Sequence, residues 1–127
     1  MATLTKTLTL TSSAGDLLSD ALSLSMTKDV TINAGSTMKK FNLTTDTNTV
    51  VATADGQSIV YLKNSTGSAR TITIFTDPDD DGDNDTTALI MEILDGEFAL
   101  LPAGLDHALV ARADGAGVLE VGVFTKA

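Results

Sequence analysis

The sequence predicts an all-β protein: a single β-sandwich, jelly-roll-like, built from nine to eleven short and mostly antiparallel strands. Apolar and polar residues alternate in short runs, turn-forming residues separate these runs, and no run has the 3.6-residue period of a helix. The chain has 127 residues and is 43% hydrophobic. We therefore expect one domain over residues 1–127, large enough to bury roughly two-thirds of its unfolded surface.

The clearest paired-strand pattern lies in residues 58–76, SIVYLKNSTGSARTITIFT. Aliphatic residues occupy alternate positions in both arms, as at Ile72 and Ile74 in the second arm. Between the arms, NSTGSA is rich in turn formers, and Gly67 can adopt a positive φ without steric cost. We expect this stretch to form a β-hairpin.

The N-terminal residues 1–11 alternate leucine with threonine. Leu4, Leu8 and Leu10 fall on one face, and Lys6 interrupts that face. An inward-pointing charge is one way to protect an exposed strand from unwanted pairing. The segment is therefore either an edge strand or terminal arm that contacts a neighbouring subunit through these leucines, or an ordinary first strand in its own sheet.

The next segments are separated by turn signals. We expect a loop at 12–20, two short strands at 22–26 and 30–32 with a turn at Lys28–Asp29, and a β-bulge in STMKKFNLTT, where the apolar phase slips. The remaining strands are expected at 49–53, 88–94, 97–102, 107–112 and 118–125. Asp55–Gly56 and Asp95–Gly96 predict turns, and Pro102 is expected to end a strand.

The net charge is −9, and six of the carboxylates lie in DPDDDGDND at 77–85, which leaves −9 + 6 = −3 for the rest of the chain. An acidic chain repels phosphate backbones, and one Tyr, four Phe and no Trp offer little surface on which bases or sugars could stack. We expect no nucleic-acid partner and no carbohydrate platform.

The chain has no cysteine, which excludes disulfides and thiolate metal sites. No apolar run approaches the length of a membrane span, and the N-terminus lacks a signal-peptide pattern. We therefore expect neither a membrane-embedded nor an exported protein.

The acidic segment resembles the first half of a calcium-binding loop. Its alternate carboxylates and central glycine match loop positions that supply oxygen ligands and a tight turn; the candidate ligands are Asp77, Asp79, Asp81, Asp83 and Asp85. Ala88 stands where the bidentate glutamate of an EF-hand would be, and no flanking helices are predicted. The alternative interpretation is a solvated acidic hairpin tip. No cofactor is required, and calcium is the one ion that the sequence suggests.

Catalytic chemistry has little support in the sequence. His107 is the only histidine, too few for an ordinary zinc site, and we expect it at the surface. No GxSxG-type nucleophile motif occurs, and no aromatic-lined cleft is predicted around the glutamates. We expect that the protein is not an enzyme.

Several predicted strands carry apolar residues on both faces, such as Ile59 beside Val60 and Ile90 beside Leu89. Each sheet of a two-layer sandwich buries only one face, so a second apolar face needs a cover. Another copy of the chain is the simplest cover. The alternative is that these residues are singly exposed or covered by the chain's own loops.

Four stretches together resemble small β-sandwich virion proteins of tailed phages, especially phages of marine or cyanobacterial hosts. They are MATLTKTLTL, YLKNSTGSARTITI, GEFALLPAG and LVARADGAGVLEVGVFTK, and the likeness runs over nearly the whole chain. It implies a capsid decoration or cement protein that is made in the host cytoplasm and binds the outer capsid surface. The implied partners are the major capsid protein and further copies of the chain, as in a trimer. The resemblance brings no catalytic residues, and it does not account for the acidic insertion at 77–85.

Two other functions stay open. A tail- or fibre-associated virion component would differ from a decoration protein in its copy number per particle. A calcium-dependent adhesion module would need the acidic loop to bind its ion and would need a route to a cell surface.

The calcium hypothesis predicts a weak site, with a dissociation constant on the order of 10⁻⁴ to 10⁻³ M, as in extracellular modules. Calorimetric titration with millimolar calcium should then give binding heat. A titration without heat would favour the solvated acidic tip.

Overall fold

The computed structural model describes residues 1–13, 22–33, 37–53, 58–77, 89–101 and 107–127. Within these ranges the chain forms ten strands and no helix, which confirms the predicted all-β class. The strands are β1 Ala2–Ser12, β2 Leu22–Ile32, β3 Thr37–Leu43, β4 Thr49–Ala52, β5 Ser58–Asn64, β6 Ile72–Asp77, β7 Leu89–Ile93, β8 Phe98–Leu101, β9 Ala108–Ala113 and β10 Gly117–Thr125. Most of the predicted loop at 12–20, the Asp55–Gly56 turn and Pro102 lie outside the described residues. None of the described segments is a helix long and apolar enough to cross a bilayer.

The chain divides into two compact units, Met1–Ala34 with Ala127, and Gly35–Lys126. The first unit consists of β1 and β2, which pair antiparallel along their full length, from Ala2 opposite Ile32 to Ser12 opposite Leu22. We call this two-stranded sheet the ribbon.

The turn predicted at Lys28–Asp29 is wrong, because β2 runs through both residues without a break. Lys28 lies opposite Lys6, and Asp29 lies opposite Thr5, whose Oγ1 donates a hydrogen bond of 2.6 Å to the Asp29 carboxylate. Lys28 and Asp29, which suggest a turn in the sequence alone, therefore continue the strand because both are paired with residues of β1.

The second unit is a β-sandwich of two four-stranded antiparallel sheets, with strand orders β3-β10-β5-β8 and β4-β9-β6-β7. Within this unit β3 pairs with β10, β4 with β9, β5 with β8 and β6 with β7. This is the arrangement of a jelly roll, in which one long antiparallel ribbon is wrapped into two layers. The predicted sandwich is confirmed.

The hairpin predicted over residues 58–76 is wrong, although both of its strands exist. β5 pairs with β10 and β8, whereas β6 pairs with β9 and β7 in the other sheet. The connection around Gly67, which has the expected positive φ of 76°, carries the chain from one layer to the other. Alternation within a strand indicates which side is buried, but both layers of a sandwich bury a side, so alternation does not identify the paired neighbour.

The core lies between the two sheets. Side chains of β5 and β10 meet those of β6 and β9, and the central aliphatic residues are fully enclosed. The core cluster consists of Leu43, Val51, Ala52, Val60, Leu62, Ile72, Ile74, Ile93, Leu109, Ala111, Ala113, Leu119 and Val121. Each enclosed Val, Leu or Ile contributes about 1.5–3 kcal/mol relative to an exposed one.

The bulge predicted within 36–45 is wrong for β3, which pairs with β10 in unbroken register. Phe41 and Leu43 pack on the core side, whereas Met38 lies in the opposite phase and is exposed. The apparent slip therefore comes from an apolar residue on the outer face. Register shifts occur instead at Val50/Ala52 and at Ile74/Phe75.

Asn64, the last residue of β5, is fully buried and uses the whole hydrogen-bonding capacity of its side chain. Its Nδ2 donates to the carbonyl oxygens of Arg70 (2.8 Å) and Ile93 (3.0 Å). Its Oδ1 accepts from the backbone N–H and the hydroxyl of Thr66, at 3.2 and 2.7 Å. One side chain therefore joins the β5–β6 connection to the end of β7.

Backbone bonds extend this junction to the neighbouring turns. The Gly96 N–H donates to the Asn64 carbonyl at 2.9 Å, and the Gly67 N–H donates to the Asp95 carboxylate at 2.8 Å. Gly96 has a φ of 80°, as expected for the predicted Asp95–Gly96 turn, so this turn prediction is confirmed. The Thr66 hydroxyl also accepts from the Val118 N–H at 2.9 Å, which ties in β10.

Replacing Asn64 with Ala should destabilise the protein by about 2–3 kcal/mol, because buried carbonyl groups would lose their donors. Denaturant unfolding measures the change as a lower midpoint with an unchanged slope. Asn42→Ala is the matched control, since Asn42 lies exposed in β3 and should change stability by less than about 0.5 kcal/mol. Equal midpoints for the two variants would contradict the role assigned to Asn64.

Candidate functional site

The outer side of the sheet β3-β10-β5-β8 carries an apolar surface. Met38, Gly122, Tyr61 and Leu100 follow one another across the four strands at directly paired positions. Phe98 and Phe124 belong to the same side, two residues from Leu100 and Gly122 along their strands. We call these six residues the open sheet face.

Three members of the open sheet face are largely exposed: Phe98 at 68%, Met38 at 54% and Leu100 at 43%. Tyr61 is half-buried, and its ring centroid lies 6.5 Å from that of Phe98 at an interplanar angle of 35°. Contiguous exposed apolar side chains of this kind are typical of surfaces that bind a partner, whereas single exposed residues are common everywhere.

Gly122 lies beneath two side chains of this face. A Cβ at this position would lie 2.5 Å from Met38 Sδ and 2.9 Å from Phe124 Cε2. The Met38 and Phe124 side chains therefore occupy the space above the glycine, and a larger residue there would displace them.

A charged row borders the open sheet face. Lys40, Glu120 and Lys63 are directly paired across β3, β10 and β5, so the acidic residue stands between two lysines in the register. Burial raises the pKa of Tyr61, and the negative charge of Glu120 adds to the rise. Both effects disfavour the tyrosinate, because burial removes water from the anion and Glu120 repels it.

The outer side of the other sheet is more enclosed. Phe75 and Val110 are buried there, and the Arg112 guanidinium lies 5.6 Å from the centroid of the Phe75 ring. In the sheet β3-β10-β5-β8, Ile59 lies on the outer side of β5 and is also fully buried. The second apolar faces expected from the sequence are thus covered in some places and exposed in others, as at Ile90 in β7 and at Leu94 directly after it.

The leucines predicted to contact a partner share one face of the ribbon. Leu4, Leu8 and Leu10 lie opposite Val30, Met26 and Leu24, respectively. Leu4 is half-buried, whereas Leu8 and Leu10 are exposed. The sequence correctly places these leucines on one face, but it does not show that β2 doubles the face with its own apolar residues.

Of the predicted calcium ligands, only Asp77 lies within the described residues. It is the last residue of β6, pairs with Ala108 in the ladder and is 1% exposed. Asp79, Asp81, Asp83 and Asp85 lie outside the described residues. Among the side chains that are described, no group of three or more acidic, histidine or cysteine residues could hold a metal ion. Calcium binding by the segment stays a prediction.

His107 and an open groove lie apart from the open sheet face. His107 is half-buried immediately before β9. The groove, of about 260 Å³, is lined by residues of β3 and β4 with Thr53 and Val123. Among the described residues of its lining, Lys39 is the one titratable side chain.

No family model matches this chain, and no curated protein matches it. One solved structure is similar to it with a TM-score of 0.49 and 14% sequence identity, over 77% of this chain and 91% of that chain. That structure is described by the words "Bacillus endospore appendages form a novel family of disulfide-linked pili". Unlike a disulfide-linked protein, the present chain has no cysteine.

Alkaline titration should report the environment of Tyr61, because it is the only tyrosine in the chain. Its pKa is raised above the ordinary value of 10.0. The folded state therefore holds the phenol proton more tightly than the unfolded state, and this contribution to stability is lost as the pH rises through the raised pKa. Absorbance titration of the tyrosinate measures the pKa directly.

Glu120→Gln should lower the pKa of Tyr61 but leave it above 10.0, since burial is the larger cause. Glu92→Gln is the control, because Glu92 lies in the other four-stranded sheet and should not shift the titration. A wild-type pKa at or below the ordinary value would contradict the described environment.

Proposed function

We propose that the protein is a structural component of a larger assembly and binds its neighbour through the open sheet face. The observation that carries this proposal is the exposure of Phe98, Met38 and Leu100 together on one side of a sheet whose opposite side is a closed core. The core already accounts for folding, so these exposed side chains add little to the stability of a single chain. Burial against a partner would remove them from water.

The shape of the surface also favours a protein partner over a small ligand. Ligand sites are usually concave and enclose most of the ligand. The open sheet face is the outer side of a four-stranded sheet, and the charged row of Lys40, Glu120 and Lys63 runs along one side of its apolar residues. An apolar centre with a polar rim is the usual anatomy of a protein–protein interface.

In its more specific form, the proposal is a capsid decoration protein on the outer surface of a tailed-phage shell, with the major capsid protein as the partner. The support is the sequence resemblance together with the rigid sandwich and its accessible apolar face. Contacts that are weak singly become strong when they are repeated over a shell by a protein that binds in clusters. A tail- or fibre-associated component of the same particle is the second candidate, and it would differ in its copy number per particle.

The test is occupancy on shells assembled from the major capsid protein of the same phage. Leu100→Ser should weaken binding by about tenfold per contact. This is the effect expected when the free energy of burying one leucine side chain is lost from the contact. Leu89→Ser is the matched control, because Leu89 is also an exposed leucine of an edge strand but belongs to the other sheet. Quantitative gel densitometry of sedimented shells gives the occupancy.

Equal occupancy of Leu100→Ser and the wild type would rule out the open sheet face as the contact. Failure of the wild-type protein to bind shells, with only a few copies in intact particles, would overturn the decoration role and favour the tail component. Calcium-dependent binding to host cells, with no binding to shells, would instead favour the adhesion module.

A further inference from the structure

The two faces of the ribbon differ sharply in chemistry. One face pairs threonines with Thr, Ser and Asp along its length, as at Thr7 and Thr27, whose hydroxyls are 3.1 Å apart. The other face, which we call the ribbon apolar face, is mostly aliphatic and includes two lysines and a serine; its members are Ala2, Leu4, Lys6, Leu8, Leu10, Ser12, Leu24, Met26, Lys28, Val30 and Ile32.

Lys6 and Lys28 lie directly opposite each other within the ribbon apolar face. Like charges at directly paired positions repel each other and destabilise a sheet. No member of this face carries a carboxylate, and Asp29 belongs to the threonine side, where it accepts a hydrogen bond from Thr5. The ribbon apolar face therefore carries two positive charges and no negative charge, whereas the net charge of the whole chain is −9.

Part of this face is freely accessible. Met26 is 63% exposed, and Leu8, Leu10 and Leu24 are exposed as well. An apolar surface with two lysines at its middle would be matched by an apolar surface with a carboxylate at its middle, because burial of an unpaired charge is unfavourable.

The outer side of β7 offers that complementary pattern. Ile90, Glu92 and Leu94 are all exposed, with Leu94 at 53%, and β7 is the edge strand of its sheet. Alternate residues along a strand are about 6.6–6.8 Å apart. Ile90 and Glu92 on β7 thus have the same spacing as a neighbouring apolar residue and lysine on either strand of the ribbon, and Leu94 follows directly after β7.

We propose that the ribbon apolar face of one copy docks on the outer side of β7 of a second copy, with Lys6 and Lys28 facing Glu92. Leu8 and Met26 then pack against an aliphatic neighbour of Glu92. The two surfaces in contact are different, so the contact is heterologous and can continue from copy to copy in a ring or a row. Packing of one ribbon apolar face on another is disfavoured, because it would bring four lysines together.

This contact is separate from the open sheet face, so the proposed function and this inference can fail independently. Every copy carries both the ribbon and β7. The proposal can therefore be tested by reversing the charges of one surface in one variant and of the other surface in a second variant. Variant A is Lys6→Glu with Lys28→Glu, and variant B is Glu92→Lys. Each variant alone places like charges at the contact, whereas a mixture of the two restores opposite charges at every contact between A and B.

Sedimentation velocity over a range of concentrations should show self-association of the wild type, weakened at least about tenfold in A alone and in B alone. An equimolar mixture of A and B should recover the association of the wild type. Lys39→Glu reverses the charge of one lysine on β3, outside the proposed contact, and should associate as the wild type does. Circular dichroism establishes that each variant is folded, and Glu92→Gln, which removes the attraction without adding repulsion, provides a milder second variant for B.

Recovery on mixing would establish that the contact joins different copies, because an interaction within one chain cannot be restored by a second chain. A monomeric wild type at all concentrations would overturn the proposal. Undiminished association of A or B alone would also overturn it, and so would a mixture that stays as weak as its components.

Discussion

The constraint on which the sandwich depends is the burial of Asn64 at the point where the chain leaves one sheet for the other. A buried amide is tolerated only when its donors and acceptors are satisfied. Here two backbone carbonyls and both donor groups of Thr66 satisfy it. These bonds hold the β5–β6 connection away from a hairpin geometry. They also place the end of β7 beside it, so that two crossings between the sheets are joined at one end of the sandwich.

Much of the fold could be predicted from the sequence, but the pairing of its strands could not. Short alternating runs identify strands and their buried sides because the side-chain period of a strand is two. In a jelly roll, however, most partners are far apart in sequence: β3 pairs with β10 and β4 with β9. Residues 58–76 look like a hairpin because both arms bury alternate residues, whereas β5 and β6 in fact pair with strands of different sheets.

The two-residue period of a strand also allows part of the candidate surfaces to be predicted from the sequence. Leu4, Leu8 and Leu10 could be placed on one face from alternation alone. The repulsive pair of Lys6 and Lys28 could not, because it depends on the register of two strands separated by a loop. The open sheet face was harder still, since its members come from four strands and two of them, Met38 and Phe124, meet over a glycine.

The exposed apolar residues of β8 contrast with the apolar residues that the sandwich encloses outside its central core. Ile59, Phe75 and Val110 show that this chain can enclose aliphatic and aromatic side chains beyond its central core. Phe98 and Leu100 nevertheless stay exposed on a strand of four residues. A short edge strand limits uncontrolled pairing with other chains. The combination of a restricted edge and an accessible apolar face favours binding through side chains on the sheet surface, and disfavours association by extension of the sheet.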